Sequence, residues 1–255
     1  MTQSLSRETR REVLRCTVLF AGVPASELDH VAAYSAERRF SLGETLVRRG
    51  DPGTSMMILV QGRLRVGATS AEGREFTLGL LGPGSVLGDM SVLDGKPRSA
   101  DVIAISPGLA LILERSVVLP FLRARPELLL RLLLILCDRL RRADAALEDL
   151  ALASLAVRLA RALLLLAAEH GSAGPGGTLI RLHMSQGDLA TLVGATREPV
   201  NRQLRRWREE GVVGEQDGCL VLVKPEALRA LTTGERATSS VIPALQTATV
   251  GRLSS

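Results

Sequence analysis

The amino-acid sequence predicts an α+β fold. An N-terminal β-roll of the double-stranded β-helix or jelly-roll-like kind is followed by a long helix and then by a small domain of helices with a hairpin. Short apolar runs separated by glycines fill the chain from about Phe40 to Leu113. From Pro126 the pattern becomes a helical run without Gly or Pro until Gly171. A chain of 255 residues is long enough for two modest domains, each with a core of its own.

The composition bounds the class of protein. Hydrophobic residues make up 46% of the chain, but the densest apolar stretches are interrupted by Arg131 or end well short of the roughly 20 apolar residues that a bilayer crossing needs. The charged N-terminus is not followed by the apolar run of a secretory signal. We therefore expect a cytoplasmic protein without a membrane partner.

Neither the cysteines nor the histidines indicate a metal site. The three cysteines are far apart and form no CxxC pair: Cys16, Cys137 and Cys219. An iron–sulfur cluster would need several neighbouring cysteines, and a haem would need an axial histidine in the region of β-like runs, where none is found. We predict no metal and no covalent cofactor. The net charge of +5 permits a polyanionic partner.

The first predicted domain, residues 1–125, contains six β-like runs: ETLVR, MMILVQG, RLRVG, FTLGLLGPG, DVIAI and LALIL. Glycines between the runs supply turns that are unfavourable for residues with a Cβ. Many short strands at this spacing are typical of a small barrel or sandwich.

The second predicted segment, residues 126–152, is a dimerisation helix. Its apolar residues repeat at alternating spacings of four and three, as in the a/d seam of a coiled coil. These residues are Leu129, Leu133, Leu136, Leu140, Ala143, Leu147 and Leu150. The alternative is that the stripe packs on its own domain. Charged residues off the seam favour an exposed helix that pairs with its twin in a homodimer: Arg139, Arg141, Arg142, Glu148 and Asp149.

The third predicted segment, residues 153–231, has the pattern of a winged helix-turn-helix. After an apolar helix and a flexible GSAGPGG, LIRLHM indicates a strand, SQGDLATLVG and ATREPVNRQLRRWREEG indicate two helices, and VVGEQDGCLVLV indicates a hairpin that turns at Asp217 and Gly218. Ser185 and Asp188 are spaced as an N-terminal cap of the first of these two helices. The tail, residues 232–255, is expected to be disordered because it is rich in Ser, Thr and Ala.

The second helix of the pair carries the predicted nucleic-acid contacts. Thr196 is placed to cap it, so Pro199 falls in the first turn, where a missing N–H is tolerated. Its N-terminal half would reach base edges through Arg197, Glu198 and Arg202. Phosphate contact is the expected use of Arg205, Arg206 and Arg208 nearer the C-terminal end. The alternative is a solvated charged face.

Two motifs carry a family resemblance. MSQGDLATLVGATREPVNRQLRRWREEGVV resembles the DNA-binding motif of the Crp/Fnr family, and GPGSVLGDMSVLDGKPRSADVIA resembles that family's phosphate-binding cassette. The resemblance covers roughly residues 15–230 in the family's order. It implies a homodimeric transcription regulator that binds an inverted repeat in double-stranded DNA, contacts RNA polymerase and responds to a cyclic nucleotide.

The resemblance also implies roles for individual residues. Arg197, Glu198 and Arg202 fall on the family's base-reading positions, which implies half-sites resembling TGTGA. Pro199 stands where the family has a polar residue, which removes a hydroxyl contact to a phosphate.

In the cassette, Gly88 and Asp89 match the residues that hold the sugar hydroxyl, and Arg98 and Ser99 match those that hold the cyclic phosphate. The chemistry is consistent, because a guanidinium and a hydroxyl donate to phosphate oxygens and a carboxylate accepts from a hydroxyl. Asp89 is one methylene shorter than the family's Glu. The alternative is that Asp89 and Arg98 form a relic ion pair that holds the loop.

The base-contacting positions differ from those of cyclic-AMP binders. Ala143 and Asp144 stand where hydroxyl residues usually meet the base. A carboxylate only accepts hydrogen bonds, which suits the paired N–H donors of guanine, so cyclic GMP and cyclic di-GMP join cyclic AMP as candidate effectors. The alternative is that Asp144 pairs with Arg141 or is repelled by Glu148.

Three other functions compete with the effector-modulated regulator. One is a regulator that binds DNA without a ligand and keeps a relic cassette. Another is a cyclic-nucleotide-binding regulatory subunit, which would not need the winged helix. A third is an enzyme, but no catalytic motif supports one. We therefore predict a protein without enzymatic activity.

Overall fold

The computed structural model describes residues 4–70, 75–174, 176–182 and 184–234. They divide into two compact units, one that extends to Arg139 and one that begins at Leu140. Within these residues no helix is both long enough and apolar enough to cross a membrane.

The first unit is the β-roll that the sequence predicts. Two four-stranded antiparallel sheets form it, with strand orders β1-β8-β3-β6 and β2-β7-β4-β5. The strands are β1 (Ala36–Phe40), β2 (Thr45–Val47), β3 (Ser55–Gln61), β4 (Leu64–Thr69), β5 (Glu75–Leu81), β6 (Val86–Leu87), β7 (Asp101–Ala104) and β8 (Gly108–Glu114). Six of them coincide with predicted apolar runs. Strands β1 and β6 were not predicted, because AERRF is mostly polar and β6 has only two residues.

Helices also belong to this unit, and most of them have no clear signal in the sequence. They are α1 (Arg7–Arg15), α2 (Ala25–Ala33), α3 (Asp89–Asp94), α4 (Arg115–Arg123) and the first half of α5 (Pro126–Leu152). Helix α1 begins after Ser6, whose hydroxyl accepts the N–H of Thr9 at 3.1 Å. The sequence of this helix, RETRREVLR, is mostly charged, so it gives little sign of the apolar face that packs on the core through Leu14.

Two apolar clusters stabilise the β-roll. One fills the roll and includes Leu59 and Leu64, both fully buried. The other lies between strands β3 and β8 and the flanking helices, and it includes Phe20. The start of α5 adds Leu128 and Leu132 to this second cluster, so the roll fixes that end of the long helix.

Three leucines of the predicted α5 seam are exposed among the described residues, whereas Leu129 at its start packs against the core. Leu133 is 54% exposed, Leu140 62% and Leu147 65%, whereas Leu128 and Leu132 on the neighbouring stripe are buried. The alternative that the seam packs on its own domain therefore does not hold for these three leucines. Exposed leucines at this spacing are costly in water unless a second helix covers them.

The second unit carries α6 (Leu155–His170), β9 (Gly171–Gly174), β10 (Gly177–Ile180), α7 (Gln186–Leu192), α8 (Arg197–Glu209), β11 (Val213–Gln216), β12 (Cys219–Leu222) and α9 (Pro225–Gly234). Its four strands pair antiparallel in the order β11-β12-β10-β9. Strands β11 and β12 turn at Asp217 and Gly218, with φ of 52° and 73°. Two successive positive φ values at Asp-Gly are the type I′ turn that favours a hairpin.

Three expectations for this unit need correction. The segment GSAGPGG was expected to be flexible, but β9 and β10 pair across it. The strand predicted in LIRLHM ends earlier, at Ile180. The tail predicted to be disordered from Thr232 begins inside α9, which continues to Gly234, and the rest of that prediction falls outside the described residues.

Candidate effector pocket and nucleic-acid interface

Gly88 opens the candidate effector site at the start of helix α3. Its φ is 76°, in the left-handed region that favours glycine. A Cβ at this position would lie 2.3 Å from Nη1 of Arg98, well inside contact distance. The glycine therefore allows the Arg98 guanidinium to lie directly against the backbone.

Asp89 follows Gly88 and is almost completely buried, with 1% of its surface exposed. Its two carboxylate oxygens accept from Nη1 of Arg139 at 2.9 and 3.0 Å. The other terminal nitrogen of Arg139 donates to the carbonyl of Val86. The alternative in which Asp89 and Arg98 form an ion pair therefore does not hold. Asp89 pairs instead with Arg139, one of the charged residues placed off the seam.

Arg98 is buried but has no carboxylate within ion-pair distance among the described residues. Its terminal nitrogens donate to the carbonyl of Gly88 at 3.2 Å and to the hydroxyl of Ser55 at 3.3 Å. Burial lowers the pKa of Arg98, and the more distant charges of Asp51, Asp89 and Glu114 oppose that effect. A buried guanidinium with neutral partners is well suited to pair with an incoming anion.

Ser99 and Asp144, the other two predicted ligand residues, are both exposed. Ser99 is exposed, and its hydroxyl lies 3.9 Å from the sulfur of Met90. The cassette loop therefore brings Gly88, Asp89, Arg98 and Ser99 together. Asp144 belongs to the second unit, where it is exposed and makes no ion pair with Arg141 in the described part of the chain. Its role toward a base stays a prediction.

The candidate nucleic-acid interface begins with a well-capped helix pair. The hydroxyl of Ser185 accepts the N–H of Asp188 at 3.1 Å, and the carboxylate of Asp188 accepts the N–H of Ser185 at 2.8 Å. This reciprocal capping box fixes the start of α7. Helix α8 begins at Arg197 with Thr196 in the N-cap position, as predicted, but the Thr196 side chain makes no capping hydrogen bond.

Helix α8 has one buried face and one exposed charged face. The buried face consists of Val200, Leu204 and Trp207. Six of the seven residues that we predict to take part in DNA binding are exposed, and the seventh, Arg208, is half-buried; the six are Thr196, Arg197, Glu198, Arg202, Arg205 and Arg206. The buried face anchors the helix to its unit, so the charged face remains available to a partner.

Charge pairs already order part of that face. Nη1 of Arg202 lies 3.6 Å from a carboxylate oxygen of Glu198, one turn earlier. Nε of Arg206 donates to Glu210 at 2.8 Å, and this hydrogen bond raises the pKa of Arg206. These exposed pairs are weak and can exchange for contacts with DNA.

Arg208, whose phosphate contact stays a prediction, is paired within its own unit. Its Nη2 donates to the carboxylate of Glu215 in β11 at 2.8 Å, which links the helix to the wing hairpin. No local pattern in the sequence indicates this contact. The pairing of Asp89 with Arg139 has no local signal either, because the two residues are 50 positions apart.

Two regions of the chain match known families. Residues 37–125 match the cyclic nucleotide-binding domain, and residues 157–231 match the Crp-like helix-turn-helix domain. The chain is 30% identical to the CRP-like cAMP-activated global transcriptional regulator of Mycobacterium tuberculosis and 35% identical to the cyclic AMP receptor protein of Thermus thermophilus. Each alignment spans 217 residues and covers 85% of this chain and 97% of the relative.

A solved structure is similar over nearly the same extent. A transcriptional regulator of the CRP family from Thermus thermophilus aligns with a TM-score of 0.65 at 27% identity. The alignment covers 77% of this chain and 96% of that chain.

Proposed function

This chain belongs to the Crp/Fnr family, among its Crp-like transcription regulators, and we propose that it acts as a homodimer whose binding to double-stranded DNA is controlled by a cyclic nucleotide held in the β-roll. It carries both a cyclic nucleotide-binding domain and a Crp-like helix-turn-helix domain. The relatives from Mycobacterium tuberculosis and Thermus thermophilus are named as a regulator and a receptor protein rather than as enzymes. The proposed place of action is the cytoplasm, with RNA polymerase as a further partner.

The observation that carries the effector proposal is the environment of Arg98. Its guanidinium is buried, and its hydrogen-bond partners are a backbone carbonyl and the hydroxyl of Ser55. A cyclic phosphate would supply the negative charge that these neutral partners lack. Ser99 would donate its hydroxyl to the same phosphate, and Asp89 would accept from the sugar hydroxyl.

The proposed DNA contacts are divided by position along α8. Arg197, Glu198 and Arg202 lie in the first half of the helix, where side chains of such motifs reach base edges. Arg205 and Arg206 would contact phosphates and fix the orientation. Two copies related by the exposed leucine seam of α5 would read an inverted repeat with half-sites resembling TGTGA.

Three nucleotides are candidates for the effector that the β-roll binds. Two relatives carry cyclic AMP in their names, which makes it the first ligand to test. The carboxylate of Asp144 only accepts hydrogen bonds, which instead favours the N–H donors of guanine. Cyclic GMP and cyclic di-GMP are therefore tested beside cyclic AMP.

The decisive experiment measures DNA affinity with and without each nucleotide. Fluorescence anisotropy of a labelled duplex with two inverted TGTGA half-sites should show tighter binding with one of the three nucleotides. Arg98→Ala should abolish that response and leave the basal affinity unchanged, because Arg98 is not in the DNA-binding unit. If α8 is the interface, the double variant with Arg202→Ala and Arg205→Ala should bind both the duplex and a scrambled control more weakly than the wild type does.

A second candidate is a regulator that binds DNA without a ligand. The pairing of Asp89 with Arg139 favours it, because the carboxylate already has a charged partner when no ligand is present. Specific DNA binding that none of the three nucleotides changes, and that Arg98→Ala does not change, would select this candidate.

A further inference from the structure

A cavity of about 320 Å³ opens beside the cassette, and the residues predicted to hold a cyclic nucleotide do not line it. Its walls come from the turn before β3, the loop before Arg98 and the first residue of α4. The lining includes Gly50, Gly53, Thr54, Gly95, Pro97 and Arg115. The volume falls at the lower end of the range for small-molecule sites.

Arg115 is the charged group of this cavity. Its Nε donates to the carbonyl of Val92 at 2.8 Å, which orients the guanidinium, but within the described ranges it forms no ion pair. A Cβ at Gly95 would lie 3.7 Å from Nη2 of Arg115. That distance is an ordinary van der Waals contact, so the Arg115 guanidinium lies beside Gly95, and both residues line the cavity.

The remaining lining is neutral in the part of the chain that the structure describes. Thr54 contributes a hydroxyl, and the prolines and glycines contribute backbone and small apolar surfaces. A guanidinium presents a planar fork of donors that matches a carboxylate or a phosphate group. We infer that this cavity is a second ligand site, which takes a small anion such as a carboxylate or a phosphate monoester. It shares Gly95 and Pro97 with the cassette segment but none of the residues assigned to the cyclic nucleotide, which are Gly88, Asp89, Arg98 and Ser99.

The backbone around the cavity also carries the cassette. The N–H of Gly50 donates to the carbonyl of Arg98 at 2.9 Å, and the N–H of Arg98 donates to the carbonyl of Asp51 at 2.9 Å. Gly95 is the C-cap of α3, the helix that begins at Asp89. An occupant that contacts Gly50 and Gly95 therefore restrains the segments that present the cassette residues. The two sites are coupled by this shared backbone.

The test uses the full chain and titration calorimetry with three probes: inorganic phosphate, glycerol 3-phosphate and succinate. Saturable binding of at least one probe is expected. Arg115→Gln should weaken it by about tenfold or more, since a charge-assisted bidentate contact is lost. Thr54→Glu should weaken it as well, because a carboxylate placed beside Arg115 competes with the probe. Arg123→Gln, an exposed arginine on the same helix, is the matched control and should leave affinity unchanged.

Two results would overturn the site. One is the absence of saturable binding by all three probes. The other is binding that Arg98→Ala removes and Arg115→Gln leaves intact, since the anion would then occupy the cassette. Thr54 is exposed, so Thr54→Glu keeps the test valid even if Arg115→Gln destabilises α3.

Coupling to the cassette has a separate readout that needs neither DNA nor a cyclic nucleotide. Amide hydrogen exchange across residues 88–99 should slow when the best-binding probe saturates the protein. Unchanged exchange in that segment would overturn the coupling. Both tests are independent of whether the proposed regulator function is correct.

Discussion

Arg139 on helix α5 donates to both carboxylate oxygens of Asp89, which is buried at the first position of helix α3 in the β-roll. The same guanidinium reaches the carbonyl of Val86 in β6. One side chain of the long helix thus neutralises the only carboxylate proposed for the sugar hydroxyl. A change at position 139 should therefore affect both the stability of the β-roll and its ligand.

Replacing Arg139 with Gln should destabilise the β-roll. The carboxylate of Asp89 is 1% exposed and would lose its charged partner, while the Arg139 side chain is itself 34% exposed. We expect the free energy of unfolding to fall by about 2 kcal/mol, measured by urea denaturation. Arg141→Gln, on the exposed face of the same helix, should change it by less than about 0.5 kcal/mol.

A double-mutant cycle checks that the loss comes from this pair. Asp89→Asn removes the buried charge, so Arg139→Gln should cost much less in that background than in the wild type. Equal costs in both backgrounds would show that Arg139 stabilises the roll by some other contact.

Charges on the leucine seam should abolish dimerisation. Leu140 and Leu147 are 62% and 65% exposed, and in a parallel pair each would meet its twin. Leu140→Glu with Leu147→Glu would bury like charges across the seam, so light scattering should give the monomer mass. Leu134→Glu is the matched control, because Leu134 is 57% exposed but lies off the seam. A dimer that persists in the double variant would place the interface elsewhere.

The N-terminal segment should loosen in acid through Glu37. A hydrogen bond from the Ser4 hydroxyl lowers the pKa of Glu37, burial opposes it, and the Leu5 N–H and the Arg10 guanidinium lower it further. A depressed folded pKa means that this contribution to stability is fully present above the unfolded value of 4.5 and is lost as the pH falls through the lower folded value.

The free energies of unfolding of the wild type and of Glu37→Gln should therefore become equal in acid. Near neutral pH the wild type should have the higher free energy of unfolding, and the difference should shrink as the pH falls below 4.5. Glu8→Gln is the control, because Glu8 is 80% exposed on α1 and its replacement should change the free energy of unfolding by less than about 0.5 kcal/mol. A difference that grows in acid would contradict the assignment.

Asp144 should decide between guanine and adenine if it contacts the base. Replacing it with Ser supplies the hydroxyl that cyclic-AMP binders of the family carry, so calorimetry should show the ratio of cyclic-AMP to cyclic-GMP affinity rising in Asp144→Ser. Glu148→Gln, an exposed acid one turn later, should leave the ratio unchanged. An unchanged ratio in Asp144→Ser would mean that this side chain does not meet the base.

The sequence predicts those parts of the fold whose signals are local. Short apolar runs separated by glycines marked six strands, and Asp217 and Gly218 marked the turn of the wing hairpin. Strand β1 was not predicted, because its sequence AERRF is mostly polar. It forms a strand by pairing with β8, which is far away in the sequence. The pairing of Asp89 with Arg139 escaped for the same reason, since a contact across 50 positions leaves no trace in local spacing.

Within the candidate site, the sequence located the residues but not their bonding. The cassette loop does bring Arg98 next to Gly88, yet Asp89, which only the alternative interpretation paired with Arg98, pairs with Arg139. Arg208 likewise lies on the predicted helix, but its charge is directed to Glu215 of the wing. Which of several nearby charges form a pair depends on side-chain geometry, and periodicity does not encode it.

The sharpest test of helix α8 compares two arginines of equal exposure. The side chains of Arg202 and Arg206 are 73% and 71% exposed, one turn apart, and each is paired with a glutamate of its own helix or its C-cap. If Arg202 reads a guanine, Arg202→Ala should cost about 1–3 kcal/mol on the preferred site and relax the preference at one base pair. Arg206→Ala should weaken all sequences alike and lower the salt slope by about one.

The measurement is fluorescence anisotropy over a salt series with the preferred duplex and its single-base variants. Glu210→Gln serves as the control for Arg206, because it frees that guanidinium from its 2.8 Å partner without removing the positive charge. It should strengthen binding to every duplex by a similar small factor, since less pairing must be broken on contact with phosphate. If Arg202→Ala and Arg206→Ala lower the DNA affinity equally and for every sequence, neither side chain reads a base. The base contacts proposed for α8 would then have to be assigned to other residues.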